Sequence, residues 1–371
     1  MRINRIKLCD FRNLCQLELT LCEHANVIYG DNGQGKTNFI EAVWMFTGAK
    51  SFRGAKDQQL VRFGCAQGTA EMDFFAGERE QSATLTIENR RSAVLNEIPL
   101  KSPTELAGHF CAVVFSPTHL SLIKNGPQEK RKFIDTSICQ IKPKYIHMLS
   151  QYNRVLDQRN HLLKDLQYAP GLMDTLDIWD QRLAAFAAVV LKTRASFVQR
   201  LRPFAQQTYA GISNNQESLD FQYLSTLECD LERDIPEIEK QVFACLQQQR
   251  EEDLRTRNTN YGPHRDDIEI LLDGNSARVF GSQGQQRSCV LSLKLAECEI
   301  IKETIGEYPV VLLDDVMSEL DEKRQDYLLN HLKNRQLVMT CCDQTNLRGL
   351  QAGVGIQLEN GRVANYQEFS F

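Results

Sequence analysis

The chain has 371 residues, 42% of them hydrophobic, and a net charge of −5 at pH 7. This length predicts about two domains, and the acidic balance excludes a general polycation, so nucleic-acid binding would need a local basic face. The 12 cysteines include no C-x-x-C pair, which predicts reduced thiols of a cytoplasmic protein. The longest apolar run, Leu183–Leu191, is too short to span a bilayer, so no membrane partner is expected.

Alternating apolar residues over positions 1–30 predict β-strands that lead into an octapeptide of sequence GDNGQGKT. It matches the phosphate-binding loop pattern G-x-x-x-x-G-K-[ST] in full. Backbone N–H groups in such a loop form a nest for phosphate oxygens. Lys36 would bridge the β- and γ-phosphates, and Thr37 would ligate Mg²⁺. The predicted ATP-binding residues are Gly30, Asp31, Asn32, Gly33, Gln34, Gly35, Lys36 and Thr37.

The elements that follow divide the chain into three segments. An apolar helix is predicted at Phe39–Phe46, and short strands are predicted at Thr69–Phe75, Ser82–Glu88, Ala93–Ile98 and Val113–Phe115. Residues 118–249 have helical periodicity, with breaks at 169–171, Pro203 and 211–215. The prediction is an α/β protein in which a mainly helical lobe, residues 118–250, is inserted between residues 1–117 and 251–371.

The predicted lobe is basic. Residues 124–204 contain 14 Lys+Arg and 7 Asp+Glu, a local net charge of +7. The run Lys130, Arg131 and Lys132 is its densest part. Two interpretations remain open: a solvated helix face, or a surface that contacts the DNA phosphate backbone.

The α/β pattern returns after the lobe. Strands are predicted at Ile268–Leu272 and Ala277–Phe280 around an Asp-Gly turn, a helix at Arg287–Ile301, and buried strands at Val310–Leu313 and Leu337–Thr340. A terminal hairpin would turn at residues 360–361.

Two carboxylates, Asp314 and Asp315, follow the apolar strand at 310–313. Ligands of open α/β sheets bind at the carboxyl ends of the strands. Asp314 would therefore hold Mg²⁺, and Asp315 would orient or deprotonate the attacking water. Adjacent carboxylates beside a triphosphate favour a metal that offsets their charge.

Two further motifs surround this strand. The run Ser282–Gln286, SQGQQ, precedes a helix and predicts a second anion-binding helix N-terminus, which would reach a partner's ATP across a dimer. Ser318–Asp321, SELD, is by itself consistent with a helix N-cap.

Two other runs each have two interpretations. The run His264–Asp267 is either a neutral histidine beside an ion-paired turn or a loop near the nucleotide. Asp10–Asn13 is either a plain turn or a contact for adenine or DNA.

The order GDNGQGKT, SQGQQ and VVLLDDVMSELD resembles the Walker A, signature, Walker B and D-loop motifs of ABC-type ATPases. The absence of a long coiled coil separates the chain from the longer members of the SMC-like class. Asp10–Asn13, Phe115–Pro117 and Tyr261–Asp267 are similar to segments of the bacterial RecF family of DNA replication and repair proteins. The resemblance extends over nearly the whole chain.

That resemblance implies an ABC-type P-loop ATPase head, split in sequence by the helical lobe, with ATP and Mg²⁺ as cofactors. It implies weak, DNA-stimulated ATP hydrolysis and ATP-dependent homodimerisation on single-stranded, duplex or gapped DNA. RecR would be a partner, with RecO, and RecA loading would follow. Ser282, Gly284 and Gln285 would contact the partner's γ-phosphate. Ser318 and Asp321 would form the D-loop, with Asp321 at the dimer seam.

The sequence departs from the wider ABC pattern at two places. Asp315 stands where most members have Glu, which predicts slow turnover. Residues 338–343 contain no histidine at the usual switch position, so Thr340 or Asp343 would sense phosphate instead.

Two alternative functions remain open for the chain. It could be an ATPase subunit of another ABC-type machine not acting on DNA, such as a transporter, or a small-molecule kinase.

Overall fold

The computed structural model describes residues 1–342, 350 and 352–370, which form two compact units. The first comprises Met1–Leu120, Gln207–Glu217 and Gln283–Phe371, and the second comprises Ser121–Gln206 and Ser218–Ser282. The predicted lobe began at residue 118, close to the observed boundary. Its predicted end at residue 250 lies before the end of the second unit at Ser282, and Gln207–Glu217 of the predicted lobe group with the first unit.

An antiparallel sheet forms one layer of the first unit, with the strand order β2-β1-β4-β5-β6-β7. Residues along β4 alternate between buried and half-buried, as expected for a sheet with one face on the core. The strands are β1 (Arg2–Phe11), β2 (Leu14–Thr20), β4 (Gly68–Ala76), β5 (Arg79–Ile87), β6 (Arg91–Leu95) and β7 (Ile98–Pro99).

A second sheet has the order β15-β14-β3-β13-β12-β8, parallel except for the antiparallel edge strand β15. Every residue of β3, β12 and β13 is buried, which is the pattern of central parallel strands. The strands are β3 (Ala25–Tyr29), β8 (Ala112–Phe115), β12 (Val310–Asp314), β13 (Leu337–Cys341), β14 (Ala352–Glu359) and β15 (Arg362–Ser370).

The first helix, α1 (Lys36–Met45), joins the two sheets into one core. Phe39, Ile40 and Val43 on this helix are fully buried and belong to a cluster that contains side chains from both sheets. A helix that is apolar on most sides is expected to be enclosed in this way. The other α-helices of the first unit are α8 (Gln283–Ile305) and α9 (Glu322–His331), together with the end of the long helix at Leu176–Ile212.

The second unit is mainly helical, as predicted, and also contains the antiparallel sheet β11-β10-β9. Its helices are α2 (Ser121–Lys124), α3 (Pro127–Ile141), α4 (Pro143–Asp165), α6 (Ile235–Gln248) and α7 (Arg250–Thr256), together with most of α5 (Leu176–Ile212). Its strands are β9 (Leu219–Leu224), β10 (Asp267–Leu272) and β11 (Asn275–Ser276).

Two predictions for this region were wrong. Helix α5 continues through Pro203, because Leu201 and Ala205 on either side are fully buried and packing outweighs one missing hydrogen bond. Residues 277–280 form turns rather than a strand; the strand after the Asp-Gly turn is the shorter β11, and the other side of β10 pairs with the unpredicted β9.

A buried polar network holds three helices of the second unit together. Arg159 of α4 donates through Nε to Asp180 at 2.6 Å and through Nη1 to Asp253 at 2.8 Å, and all three side chains are almost completely buried. The Arg159 Nη1 group also donates to the Thr259 hydroxyl at 2.7 Å. Buried charges that are paired in this way fix the chain segment that begins at Thr259.

In the part of the chain that the structure describes, no helix is both long enough and apolar enough to cross a membrane.

Candidate nucleotide site

The P-loop connects the end of β3 to the start of α1, and two of its glycines are required by their surroundings. Gly35 has φ +104, and a Cβ there would lie 2.5 Å from Leu14 Cδ2. Gly30 has φ +142, and its Cβ would lie 2.5 Å from the carbonyl oxygen of Leu358. Any larger residue would displace neighbouring atoms and strain the backbone. The strand–loop–helix predicted from the sequence is therefore present.

The ammonium group of Lys36 lies inside the curve of the loop. Its Nζ atom donates to the carbonyl oxygens of Gly30 at 2.5 Å and Asp31 at 3.0 Å. The side chain is largely buried. Because α1 begins at this residue, the lysine charge and the positive end of the helix macrodipole lie together, which favours an anion.

The turn between β1 and β2 supports the loop from outside. The Asn13 amide donates to the Gly33 carbonyl at 2.7 Å, and the Asn13 Oδ1 atom accepts from Asn38 at 2.8 Å. On another side, Gln34 Oε1 accepts from the Asn360 N–H at 2.5 Å. Gly33, Gln34 and Asn38 are thus hydrogen-bonded to neighbouring turns.

The same turn is bonded to the buried face of α1. Arg12 donates through Nε and Nη2 to the two carboxylate oxygens of Glu41, both at 3.0 Å. Glu41 is fully buried and also accepts from the Ser51 hydroxyl, and Arg53 lies 3.8 Å away. Asp10–Asn13 is therefore more than a plain turn. The sequence singled out this run without identifying Glu41 as its partner.

Thr37 and Asp314 meet where the loop helix faces the end of β12. The Thr37 hydroxyl donates to Asp314 Oδ1 at 2.8 Å. Two adjacent ligands of an octahedral Mg²⁺ at its usual bond length lie about 2.9 Å apart, so this pair fits the metal implied by the sequence. No group of three or more His, Cys, Asp or Glu side chains in the described residues is arranged to hold a metal. Phosphate oxygens and water would therefore complete the Mg²⁺ shell, as this ion prefers.

Thr340 bonds both the Asp314 carboxylate and the backbone of Asp315. Its hydroxyl donates to Asp314 Oδ1 at 3.2 Å and accepts from the Asp315 N–H at 2.9 Å. Burial raises the pKa of Asp314, and the hydrogen bonds from Thr37 and Thr340 oppose that shift. Asp315 is half-buried and has φ +52. Of the two predicted phosphate sensors, Thr340 is buried and bonded to these aspartates, and Asp343 lies outside the described residues.

The predicted signature residues stand at the start of α8. Gln285 donates to Glu217 at 2.7 Å. Gly284 faces the Arg324 guanidinium, since an added Cβ would lie 3.2 Å from Arg324 Nη2. Ser282 is exposed and is the last residue of the second unit.

Arg324 connects the signature helix to the predicted D-loop. Asp321 caps α9 by accepting from the Arg324 N–H at 3.0 Å, and it also pairs with the Arg324 guanidinium. Arg324 Nε donates to the Ser288 hydroxyl of α8 at 2.9 Å. Ser318 donates to the Asp315 carbonyl at 3.0 Å, which links the D-loop to the paired carboxylates. The motif favours Ser318 as an N-cap, followed three residues later by an aspartate, but the N-cap of α9 is that aspartate, Asp321. The sequence interpretation missed Arg324, although the D-x-x-R spacing was its signal.

An open cleft of about 820 Å³ lies beside the P-loop support. Arg12, Asn13, Arg53 and Arg62 contribute to its lining, and so does Phe63, whose side chain is fully exposed. Cationic groups and one aromatic ring suit a nucleotide or another anionic aromatic ligand.

The structure corrects the predicted basic contact surface. Lys130 is buried, and its Nζ atom bonds the Ile268 carbonyl at 2.6 Å and the Asp267 carboxylate at 2.9 Å. Arg131 is half-buried, and Lys132 is exposed. Helical periodicity places consecutive residues on different faces, so the three side chains do not form one surface.

Comparisons with known proteins agree with this arrangement. The family model described as the RecF/RecN/SMC N terminal domain matches residues 2–365. A protein of Acetivibrio thermocellus named DNA replication and repair protein RecF is 40% identical over 98% of this chain and 100% of its own length. A protein of the same name from Ruminiclostridium cellulolyticum is 38% identical over 94% of this chain and 95% of its own.

Comparison with solved structures also matches the chain to RecF. Those described as the recombination mediator protein RecF-ATPrS and RecF-ATP in the RecFOR pathway are 34% identical to the chain, with TM-scores of 0.92 and 0.91. They cover 100% and 99% of this chain, and 98% and 97% of their own chains. An Smc head bound to a domain of ScpA is 14% identical, with a TM-score of 0.57 over 100% of this chain and 98% of its own, and shares the fold. The chain has the ABC-type ATPase head fold and belongs to the RecF family of DNA replication and repair proteins.

Proposed function

We propose that the chain is an ATP-dependent DNA-binding protein of recombinational repair and replication. The observation that carries this proposal is the meeting of Thr37, Asp314 and Thr340 beside the P-loop lysine. Lys36 would hold the β- and γ-phosphates, and Thr37 and Asp314 would hold Mg²⁺, which neutralises charge on the phosphates. The structures of RecF-ATP support ATP as the nucleotide.

Asp315 would position the attacking water. Its backbone N–H is fixed by Thr340 at 2.9 Å, so the start of its side chain is held at the end of β12. Aspartate is one carbon shorter than the glutamate usual in ABC-type ATPases, and the carboxylate would orient water less closely. We therefore propose slow hydrolysis, stimulated by DNA, that resets an ATP-bound state.

ATP would join two copies of the chain. Ser282, Gly284 and Gln285 of one copy would face the γ-phosphate held by Gly30–Thr37 of the other. The D-loop would lie at the seam, since Arg324 joins Asp321 to the signature helix. Through this dimer the protein would bind duplex or gapped DNA, act with RecR and RecO, and help to load RecA.

Sedimentation of the full chain with and without ATP and Mg²⁺ tests this proposal. We expect ATP to convert the wild type to a dimer, and Lys36→Met to remain monomeric. Lys50→Met, which removes an exposed lysine close in sequence, should behave as the wild type. A wild type that stays monomeric at high concentration with ATP and Mg²⁺ would contradict ATP-dependent dimerisation. The same samples with single-stranded, duplex and gapped DNA would show which DNA promotes the dimer.

A further inference from the structure

A cleft of about 420 Å³ opens in the second unit, between the start of α3 and a turn at residues 262–265. Its lining includes Gly126 and Gln128 at the start of α3, Arg131 one turn later, and His264 and Arg265 from the turn. All of these residues belong to the second unit. The cleft therefore shares no lining residue with the nucleotide site, which is built from residues of the first unit.

The turn that carries Arg265 is held in one conformation. The Arg265 N–H donates to the Gly262 carbonyl at 2.8 Å, and Gly262 has φ +134, a conformation that favours glycine. His264 Nε2 bonds the Thr259 carbonyl at 2.9 Å, and His264 Nδ1 bonds the Tyr152 hydroxyl at 2.6 Å. A carbonyl only accepts, so Nε2 carries the proton and Nδ1 accepts from Tyr152. Arg265 is thus placed on a rigid support.

The two carboxylates that directly follow Arg265 in sequence are bonded elsewhere. Asp266 accepts from the Thr226 N–H at 2.8 Å and its hydroxyl at 2.9 Å, and also from the Tyr223 hydroxyl. Asp267 pairs with Lys130 at 2.9 Å. The charges of these two aspartates are therefore directed to other donors.

Arg131 and Arg265 lack acidic partners within the described residues. The Arg131 guanidinium donates from Nη1 to the Asp266 carbonyl at 2.6 Å, and neither arginine forms an ion pair in residues 1–342. Burial, and then the nearby Arg194, lower the pKa of Arg131, whereas the carboxylates of Asp266, Asp267 and Asp135 act in the opposite direction. Glu129 is the acidic member of the cleft lining and offsets only part of this positive charge.

We propose that this cleft binds a phosphate of the DNA backbone, with Arg131 and Arg265 as its donors. The planar guanidinium group matches phosphate geometry, and the charge-assisted bonds are strong. The open volume exceeds that of a phosphate group, so a phosphodiester with its flanking sugars can enter. Such a contact positions the protein on DNA without reading sequence. The inference rests on the DNA binding proposed above. It places a DNA contact at this cleft, whereas the side chains of residues 130–132 do not form one surface.

Salt-dependent DNA binding by the full chain with ATP and Mg²⁺ tests the cleft. Arg265→Ala should weaken affinity about 3- to 10-fold and reduce the slope of log K against log salt by about one. Arg265→Lys should keep part of both. Arg182→Ala, which removes an exposed arginine of α5 outside the cleft, should leave affinity and slope as in the wild type. Equal thermal unfolding of the variants would establish that they are folded.

The outcomes separate this inference from the proposed function. A wild type that binds DNA, together with an Arg265→Ala variant of unchanged affinity and slope, would overturn the cleft and leave DNA binding standing. A wild type that binds no DNA at low salt would overturn the DNA-binding function itself. In that case inorganic phosphate, followed through the ring signals of His264 by NMR, would still test the cleft, and no change in those signals would overturn it as an anion site.

Discussion

The side-chain amide of Asn13 donates to the carbonyl oxygen of Gly33 at 2.7 Å, so a turn between two strands holds the P-loop from its outer side. The same asparagine accepts from Asn38, and Arg53 donates to Asn38 at 2.9 Å. The side chains of Arg53, Asn38 and Asn13 thus form a hydrogen-bonded series that ends at the backbone of the P-loop.

Asn13→Ala should weaken ATP binding about 3- to 10-fold. One hydrogen bond contributes about 1 kcal/mol, and its loss would let the Gly33 carbonyl move in the nucleotide-free protein. Isothermal titration with ATP and Mg²⁺ measures the affinity. Asn275→Ala is the matched control, because the Asn275 side chain donates to the Asp273 carbonyl in its own turn. Equal affinities for Asn13→Ala and the wild type would show that the loop holds its shape without this bond.

Glu41→Gln should lower the free energy of unfolding by about 3 kcal/mol. Glu41 is fully buried and bonded by both donors of Arg12, and removing one partner of a buried pair leaves the other uncompensated. Urea unfolding gives the value. Glu18→Gln, which breaks an exposed pair with Arg5, should cost less than about 1 kcal/mol. Similar losses in the two variants would mean that the Arg12–Glu41 pair has no special role in stability.

Asp315→Asn should bind ATP with wild-type affinity and hydrolyse it about 100-fold more slowly. The amide keeps the size of the side chain but cannot take a proton from water. Single-turnover hydrolysis measures the chemical step. Asp326→Asn, at an exposed position of α9, should hydrolyse ATP at the wild-type rate. Unchanged hydrolysis by Asp315→Asn would assign the water-positioning role to another residue.

Acid should destabilise the protein through His264. Burial lowers its pKa from 6.5 to about 4, so between these pH values the unfolded chain binds a proton that the folded chain does not. Stability is therefore constant with respect to this group above about pH 6.5 and falls as the pH decreases towards 4, by up to about 3 kcal/mol.

Urea unfolding of the wild type and His264→Gln across this pH range isolates the contribution of the histidine, because carboxylates titrate in both proteins. The difference between their free energies of unfolding should shrink as the pH falls from 6.5. A difference that is constant with pH would contradict a neutral buried His264.

The nucleotide site was predictable to the extent that its residues are consecutive. A P-loop motif specifies its own strand–turn–helix, and an apolar strand that ends in two carboxylates specifies the sheet edge. These local rules place Thr37 and Asp314 at the same site, where the structure brings them together. The sequence singled out Asp10–Asn13 but not its contacts, because the bonds from Asn13 to Gly33 and from Arg12 to Glu41 depend on packing between distant segments.

The basic run shows the opposite limit. The density of charged residues in a sequence does not reveal which lysine is buried against partners from another segment. Lys130 is such a lysine, since it bonds a backbone carbonyl and a carboxylate more than 130 positions away. Arg265, the partner proposed for Arg131, is 134 positions away in the chain. Pro203 is a similar case, since the buried contacts around it override a helix-breaking signal that is valid for an isolated helix.

Because α1 is enclosed between two sheets, the packing inside the first unit also sets the position of the residues proposed to bind the nucleotide. The residue that begins this helix is Lys36, and the next is Thr37, while Phe39 and Ile40 are sealed in the core. A helix packed on both sides cannot tilt alone. A void opened at Phe39 would therefore shift Lys36 and Thr37, the proposed phosphate and Mg²⁺ ligands, as well as lower stability. Under the proposed function, screens for loss of repair would then recover substitutions at residues that do not contact ATP.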